Sequence, residues 1–423
     1  MASDSVMDER TLREIYLSAF ELAVREGRPA TVMCAYNKIN GEHCSDSKML
    51  LTDILRSDWG FDGMVVTDWG AMNDRIKAFQ AGCGLNMPGG SDYMEQAVLR
   101  AVQKGTLSEA DIDASVERIL RLVERAGNAR PVMVDWDGHH ALAQRVAEQG
   151  AVLLKNEDGL LPISDPDIVL IGYMAKNIRY QGSGSSHINP TRLVSLTDAM
   201  PEAPFVACCD AEGAITADGL REAAAAARSH SVAVVVAGLP DDYESEAVDR
   251  DHMGLPEGHN RMIDAVAQAN PNTVVVLLGG SPMELPWDDK VKAILYMGLS
   301  GQAGGQAAAN LLTGRVNPSG KLTETWPLSY ADVVSKETFG KRNVEYREGI
   351  YVGYRYYDKA EKPVRYPFGH GLSYTSFIYN DLQIDGRTVR FSISNSGAVS
   401  GAELAQLYIS PPETGLHRPR REL

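Results

Sequence analysis

At 423 residues the chain has room for two or three domains, and a hydrophobic content of 44% suits a packed globular protein and argues against disorder. A formal charge of −15, with no stripe of Lys and Arg, argues against nucleic acid and anionic membrane surfaces as partners. A neutral substrate fits that charge without difficulty.

Five cysteines (Cys34, Cys44, Cys83, Cys208 and Cys209) form no CxxC pair, so neither a zinc site nor a disulfide framework is indicated. Reduced thiols in a cytoplasm are the simplest reading. The stretch Met1 to Arg10 is polar and acidic, unlike a signal peptide. No uncharged apolar run reaches the ~20 residues that span a bilayer.

In chain order, Glu9 to Glu26 carries Leu12, Ile15, Tyr16, Ala19, Phe20 and Ala23 at helical spacing. Thr31 to Tyr36 reads as a strand, Lys48 to Trp59 as a helix, and Met64-Val65-Val66-Thr67 as a short buried strand running into Asp68-Trp69-Gly70. Met72 to Ala81 is helical, Gly84 to Pro88 a short strand, and Tyr93–Lys104 and Ala110–Ala126 two further helices. This alternation is the signature of parallel α/β structure. Asn128 to His140 is linker-like, and His139 to Gly150 resumes as a helix. A second α/β pattern follows. Its strands, Ile168–Gly172, Val232–Gly238, Thr273–Gly279 and Ala293–Met297, are near-continuous apolar runs, as strands buried on both faces must be. Helices are expected at Leu220–Arg228 and Asn260–Asn270. Tyr346 to Tyr374 is a poor candidate for a regular element. From Thr388 the period shifts to two, and a second strand is expected at Leu404–Ile409, opening an antiparallel β module.

Asp68 closes a buried strand, and that end of a strand is where α/β folds bind ligands. A carboxylate there more often makes a turn or cap, but with Trp69 beside it the pair also offers a nucleophile or base next to an apolar platform. The loop Asp241 to Arg250 carries five carboxylates just beyond the strand ending at Gly238. Most such loops are solvated; one whose glutamate is desolvated supplies a general acid. Two acids in separate segments suggest glycoside hydrolysis, in which the retaining mechanism needs carboxyls ~5–5.5 Å apart. Gly182-Ser183-Gly184-Ser185-Ser186 misses GxGxxG and reads as a structural loop or a hydroxyl donor to a sugar. Gly314 to Lys321 fails the P-loop spacing, and no GxSxG or HExxH occurs. No histidine spacing suggests a metal site.

Taken together, these motifs resemble glycoside hydrolase family 3, the β-glucosidase-type enzymes. The resemblance rests on Val32-Met33-Cys34-Ala35-Tyr36-Asn37, Leu51-Thr52-Asp53-Ile54-Leu55-Arg56, Trp59 to Trp69, Val152-Leu153-Leu154-Lys155-Asn156-Glu157, Gln181 to Pro190, Glu246-Ala247-Val248-Asp249-Arg250, Asn317 to Leu322, Phe368 to Tyr374 and Gln406-Leu407-Tyr408. It implies an α/β chain in three parts. Residues 1–127 would form the C-terminal part of a (β/α)8-type barrel, 128–375 an α/β sandwich domain, and 376–423 a partial fibronectin III-like module. About three barrel strands would be retained, and the stretch that carries further glycone-binding residues in relatives would lie outside this sequence. It implies Asp68 as nucleophile and Glu246 as acid/base, with Glu244 the competing acid. Interdomain burial would raise the Glu246 pKa. Met33, Tyr36 and Trp69 match positions lining the glycone subsite. No cofactor or metal is implied.

The expected activity is retaining hydrolysis of terminal β-D-glycosidic bonds, on glucosides, xylosides or broader aryl glycosides. Two rivals are a catalytically impaired remnant that binds sugar weakly and an interaction protein that self-associates through the open barrel edge.

Overall fold

The computed structural model describes residues 3–127, 130–412 and 415–423. Asn128 and Ala129, where the expected boundary and linker begin, lie outside them, as do Met1 and Ala2 at the polar N-terminus. The chain forms two compact units, each discontinuous. The first comprises 1–133, 334–352 and 415–419; the second comprises 134–333, 353–414 and 420–423.

In the first unit a helical run over 9–27 begins at Asp8, whose carboxylate accepts the Thr11 N–H (2.9 Å) and hydroxyl (2.7 Å). The run alternates ordinary turns with wider ones at Leu12–Tyr16 and Ala23–Gly27. Thr31–Cys34 pairs in parallel with Met64–Thr67, Thr31 opposite Met64 and Cys34 opposite Thr67. The expected third strand contracts to one bridge, Leu85 against Val66. Val65, fully buried, packs with Cys34, Leu51, Leu55, Ala78 and Cys83; each large apolar side chain so buried contributes ~1.5–3 kcal/mol. Helices run Met49–Asp58, Arg75–Ala81, Asp92–Gln103 and Glu109–Gly127. Asp74 caps the second of these, and Gly82, at φ +90°, ends it. A separate sheet places Asp4–Val6 parallel to both Lys38–Ile39 and Asn343–Glu345, with Glu42–His43 antiparallel at one edge.

The second unit is built on a six-stranded sheet. Its order is Val152–Asn156, Ala293–Gly298, Thr273–Leu278, Val232–Gly238, Ile168–Ile171, Phe205–Val206. All pairs are parallel except the first, where Val152–Asn156 runs antiparallel to its neighbour. Successive residues of the Val232 strand feed opposite layers. Val232, Val234 and Val236 join a core with Ala307, Leu311 and Leu312 of the Gly304–Leu312 helix. Ala233, Val235 and Ala237 join another with Ala223, Met262 and Val266 from helices Ala217–Arg228 and Glu257–Ala269. From the Ile168 strand the chain goes outward to Phe205–Val206, then returns to the other side at Val232. The strand order therefore reverses between Ile168 and Val232, and ligand crevices form at such points.

Two expectations fail toward the C-terminus. Tyr346–Tyr374 contains a helix, Tyr354–Ala360, and a strand, Val364–Tyr366. Stacking of Tyr354 on Phe368, with centroids 5.0 Å apart, fixes a segment whose composition carries no periodicity. Leu404–Ile409 holds only an isolated bridge at Ile409; the strand that pairs with Thr388–Asn395 is Phe377–Asp385.

Candidate functional site

Two clusters hold the predicted residues, one in each unit. In the first unit, Asp68 follows the buried strand directly, and its N–H donates to the Cys34 carbonyl (3.1 Å), extending the parallel ladder by one residue. The carboxylate is therefore set by the strand pair. Its Oδ1 accepts the Tyr36 hydroxyl (2.9 Å) and the Trp69 N–H (2.6 Å). Below it, Thr67 is buried and its hydroxyl accepts the Met87 N–H (2.9 Å), which ties the next loop to the strand end. Trp69 is 64% exposed, an unusual position for so large an apolar surface. Tyr36, Asp68 and Trp69 are thus brought together. Met33, 60% exposed, borders an apolar cavity of about 280 Å³ with Tyr16, Phe20 and Trp59.

In the second unit, Glu246 lies on the loop beyond the Val232 strand, at the point where the strand order reverses. The loop runs beside the 182–188 segment. Ser245 bridges Ser183, the Glu246 N–H reaches the Ser183 carbonyl (3.4 Å), and the Glu246 Oε2 accepts the Ser185 N–H (2.8 Å). The Gly/Ser-rich loop therefore orients the acid through its backbone. Gly184, at φ +87°, is where this needs glycine: a Cβ there would stand 2.6 Å from the Glu246 Cβ. Glu246 itself is exposed on this loop.

Glu244, the competing acid, is committed elsewhere. Its carboxylate accepts the Gly280 N–H with both oxygens (3.0 and 2.8 Å) and the Ser281 hydroxyl (2.5 Å), and its side chain is 13% exposed. Arg179, with a side chain only 5% exposed, pairs with Asp241 and donates to the Ser183 hydroxyl (3.0 Å) and the Glu244 carbonyl (3.2 Å). Arg250 donates to the Ser281 hydroxyl (2.7 Å). Burial lowers the pKa of both guanidiniums, against the pull of Glu244. Sequence reasoning missed this network. Arg250 belongs to the motif Glu246–Arg250, but nothing local marks Ser281 as its partner or links Arg179 to Asp241 and Glu244.

A cavity of about 470 Å³ opens beside these loops, bordered by Tyr173, Asn177, Tyr180, Gln181, His187 and Asp242. Among the described residues no group of three or more His, Cys, Asp or Glu side chains is arranged to hold a metal ion, and no helix is long and apolar enough to cross a membrane.

Sequence profiles of the glycosyl hydrolase family 3 N-terminal and C-terminal domains match residues 3–122 and 151–374. Thermostable beta-glucosidase B of Acetivibrio thermocellus is 47% identical, over 100% of this chain and 59% of its own length. An exo-alpha-(1->6)-L-arabinopyranosidase of Bifidobacterium longum is 38% identical, over 99% and 59% respectively. The crystal structure of the Bifidobacterium adolescentis GH3 beta-glucosidase superposes with a TM-score of 0.94 at 37% identity, covering 99% of this chain and 64% of that one. Beta-glucosidase 3B from Thermotoga neapolitana in complex with glucose gives 0.91 at 32% identity, covering 99% and 66%. The chain spans about three-fifths of the length of the curated relatives it matches. With both profiles matched in order, the chain belongs to glycosyl hydrolase family 3.

Proposed function

We propose that this protein hydrolyses terminal, non-reducing β-D-glycosidic bonds as a β-glucosidase-like enzyme with retention of configuration. The observation that carries the reading is the Asp68 carboxylate, held at a strand end by Tyr36 and the Trp69 N–H in a chain of this family. Asp68 attacks the anomeric carbon as Glu246 gives its proton to the departing glycosidic oxygen, forming a glycosyl ester. Glu246 then takes a proton from water, which attacks the same carbon and releases Asp68. Tyr36, Met33 and Trp69 line the sugar, Trp69 offering its face to the ring C–H groups. No metal or organic cofactor takes part.

In this reading 1–127 is part of the barrel domain, 128–375 the α/β sandwich domain and 376–423 a fibronectin III-like module. The two matched profiles support the first two, and the Phe377–Asp385/Thr388–Asn395 hairpin supports the third. Five free thiols suit a cytoplasmic setting. Self-association is the partner reading. Among the described residues the Thr31–Cys34 strand pairs only with Met64–Thr67, and its other edge is open.

The deciding experiment is nitrophenol release from an aryl β-D-glucoside by the 423-residue chain, beside Asp68→Ala. An aryl α-L-arabinopyranoside is run in parallel because of the Bifidobacterium relative. Turnover that vanishes in Asp68→Ala supports the reading. Turnover that survives removes Asp68 from the nucleophile role, and no turnover on any glycoside leaves a chain that records the chemistry without performing it.

A further inference from the structure

Both ends of the segment that carries Glu246 are fastened to one hydroxyl. Ser281 Oγ donates to the Glu244 Oε1 at 2.5 Å and accepts from the Arg250 Nη1 at 2.7 Å. A serine hydroxyl has one proton to give and two lone pairs to receive, so the two bonds are compatible and use its single donor. The Gly280 N–H, one residue before, adds its bonds to the Glu244 carboxylate. Residues 280 and 281 follow the central Thr273–Leu278 strand, among the most buried elements of the sheet. An exposed loop is thus tied at residues 244 and 250 to a rigid strand end, with Glu246 between the ties. Ala247, at φ +67°, carries left-handed backbone inside that span. Such a conformation costs a non-glycine residue energy and persists only where the surroundings over-determine it.

We propose that Ser281, with Glu244 and Arg250, forms a latch that positions Glu246, making Ser281 and Glu244 positioning residues for proton transfer. The inference rests on the assignment of Glu246 as acid/base. The latch removes Glu244 from candidacy as the acid by giving its carboxylate another task. It sets the loop so that the Ser183 carbonyl and Ser185 N–H meet Glu246. Without the shared hydroxyl, Glu244 keeps the Gly280 N–H and Arg250 loses its bond to residue 281, so the Arg250 end of the span is released.

The test is Ser281→Ala in the full chain, with Ser281→Thr restoring a hydroxyl and Glu244→Gln removing the charge. Amide hydrogen exchange is followed by mass spectrometry over 183–186 and 244–250. Loss of a hydrogen bond of ordinary strength raises the opening equilibrium roughly tenfold. Exchange in those two segments is expected to rise by about that factor in Ser281→Ala and to return in Ser281→Thr. Kinetically, Ser281→Ala should lower kcat on phenyl β-D-glucoside by roughly tenfold more than on dinitrophenyl β-D-glucoside, because only the poor leaving group needs the proton, with KM within about twofold. Unchanged exchange in both segments overturns the latch. So does an increase spread evenly over the whole sheet, which signals general destabilisation. A chain without turnover on any glycoside refutes the hydrolase reading, while the exchange arm still decides the latch.

Discussion

Replacing Gly184 by alanine tests the local geometry of the acid-bearing loop most directly. The added Cβ meets the Glu246 Cβ at 2.6 Å and its Oε2 at 3.0 Å, where ordinary contacts begin at 3.4 Å. Glu246 must therefore retreat by several tenths of an ångström. Alanine at φ +87° also pays the left-handed cost of ~1–2 kcal/mol. The retreat strains the Ser185 N–H bond to Oε2, an exposed charge-assisted contact worth about 1 kcal/mol. The sum is about 2–3 kcal/mol, a sizeable share of a domain stability of ~5–15 kcal/mol. Gly182→Ala is the internal control. Its Cβ meets only the Ser186 hydroxyl, at 3.0 Å, which can rotate away, and its φ is not positive; the expected cost is below ~0.5 kcal/mol. Urea unfolding of both variants, with amide exchange at 183–186, reads the difference. Equal midpoints for the two alanines would sink the argument that Glu246 is held against Gly184.

Glu246→Ala should slow phenyl glucosides far more than dinitrophenyl glucosides; equal losses on both would count against its acid/base role. Cys209 should be the fast-reacting thiol among the five cysteines. The Cys208 thiol, and behind it His259, hold it well below the ordinary thiol range although burial opposes them. Iodoacetamide at pH 6.5 with peptide mapping should label Cys209 before Cys208, and the reverse order refutes the pairing. His370 is held below its usual range by burial, with its Nε2 donating to the Leu154 carbonyl at 2.8 Å. A depressed folded pKa gives stability that is present above the unfolded value of ~6.5 and lost as pH falls through the folded one. His370→Gln should therefore flatten the decline in urea midpoint between pH 7.5 and 5, and an unchanged slope would exclude His370 as its source. Arg56→Ala removes donors from the Gly63 and Gly82 carbonyls (3.0 Å each) and the stacking over Phe61. It should destabilise the first unit by about 2–4 kcal/mol, measured by thermal melting; a Tm within 1 °C of the parent would contradict that.

What could be read in advance was what depends on neighbours in sequence. The Val232 strand declared itself because a doubly covered strand must be apolar at every position. The Asp68 strand did so because a carboxylate ends an apolar run. Val152–Asn156 carries no strand signal of its own. Its apolar residues directly follow a helix ending at Gly150, and only its antiparallel neighbour makes it sheet. Asn343–Glu345 has no apolar pattern at all and is a strand only because Asp4–Val6 lies beside it. The same holds at the site. Asp68 is legible as a carboxylate at a strand end and the 241–250 loop as acidic, but only the family resemblance singles out Glu246, and Arg179 and Ser281 act through residues 62 and 37 positions away, respectively, which no local pattern encodes.

That pairing of Asp4–Val6 with Asn343–Glu345 also sets a timetable for synthesis. Ser5 and Tyr346, whose hydroxyls lie 3.4 Å apart in the same patch, are 341 positions apart. A ribosome adding ~5–20 residues per second needs roughly 15–70 seconds to deliver the second after the first. During that interval the N-terminal sheet lacks an edge strand, while most of the six-stranded sheet emerges and folds. Asp4–Val6 therefore waits for a partner made hundreds of residues later. A chaperone that shields residues 3–43 on the nascent chain would meet a need that this strand order creates.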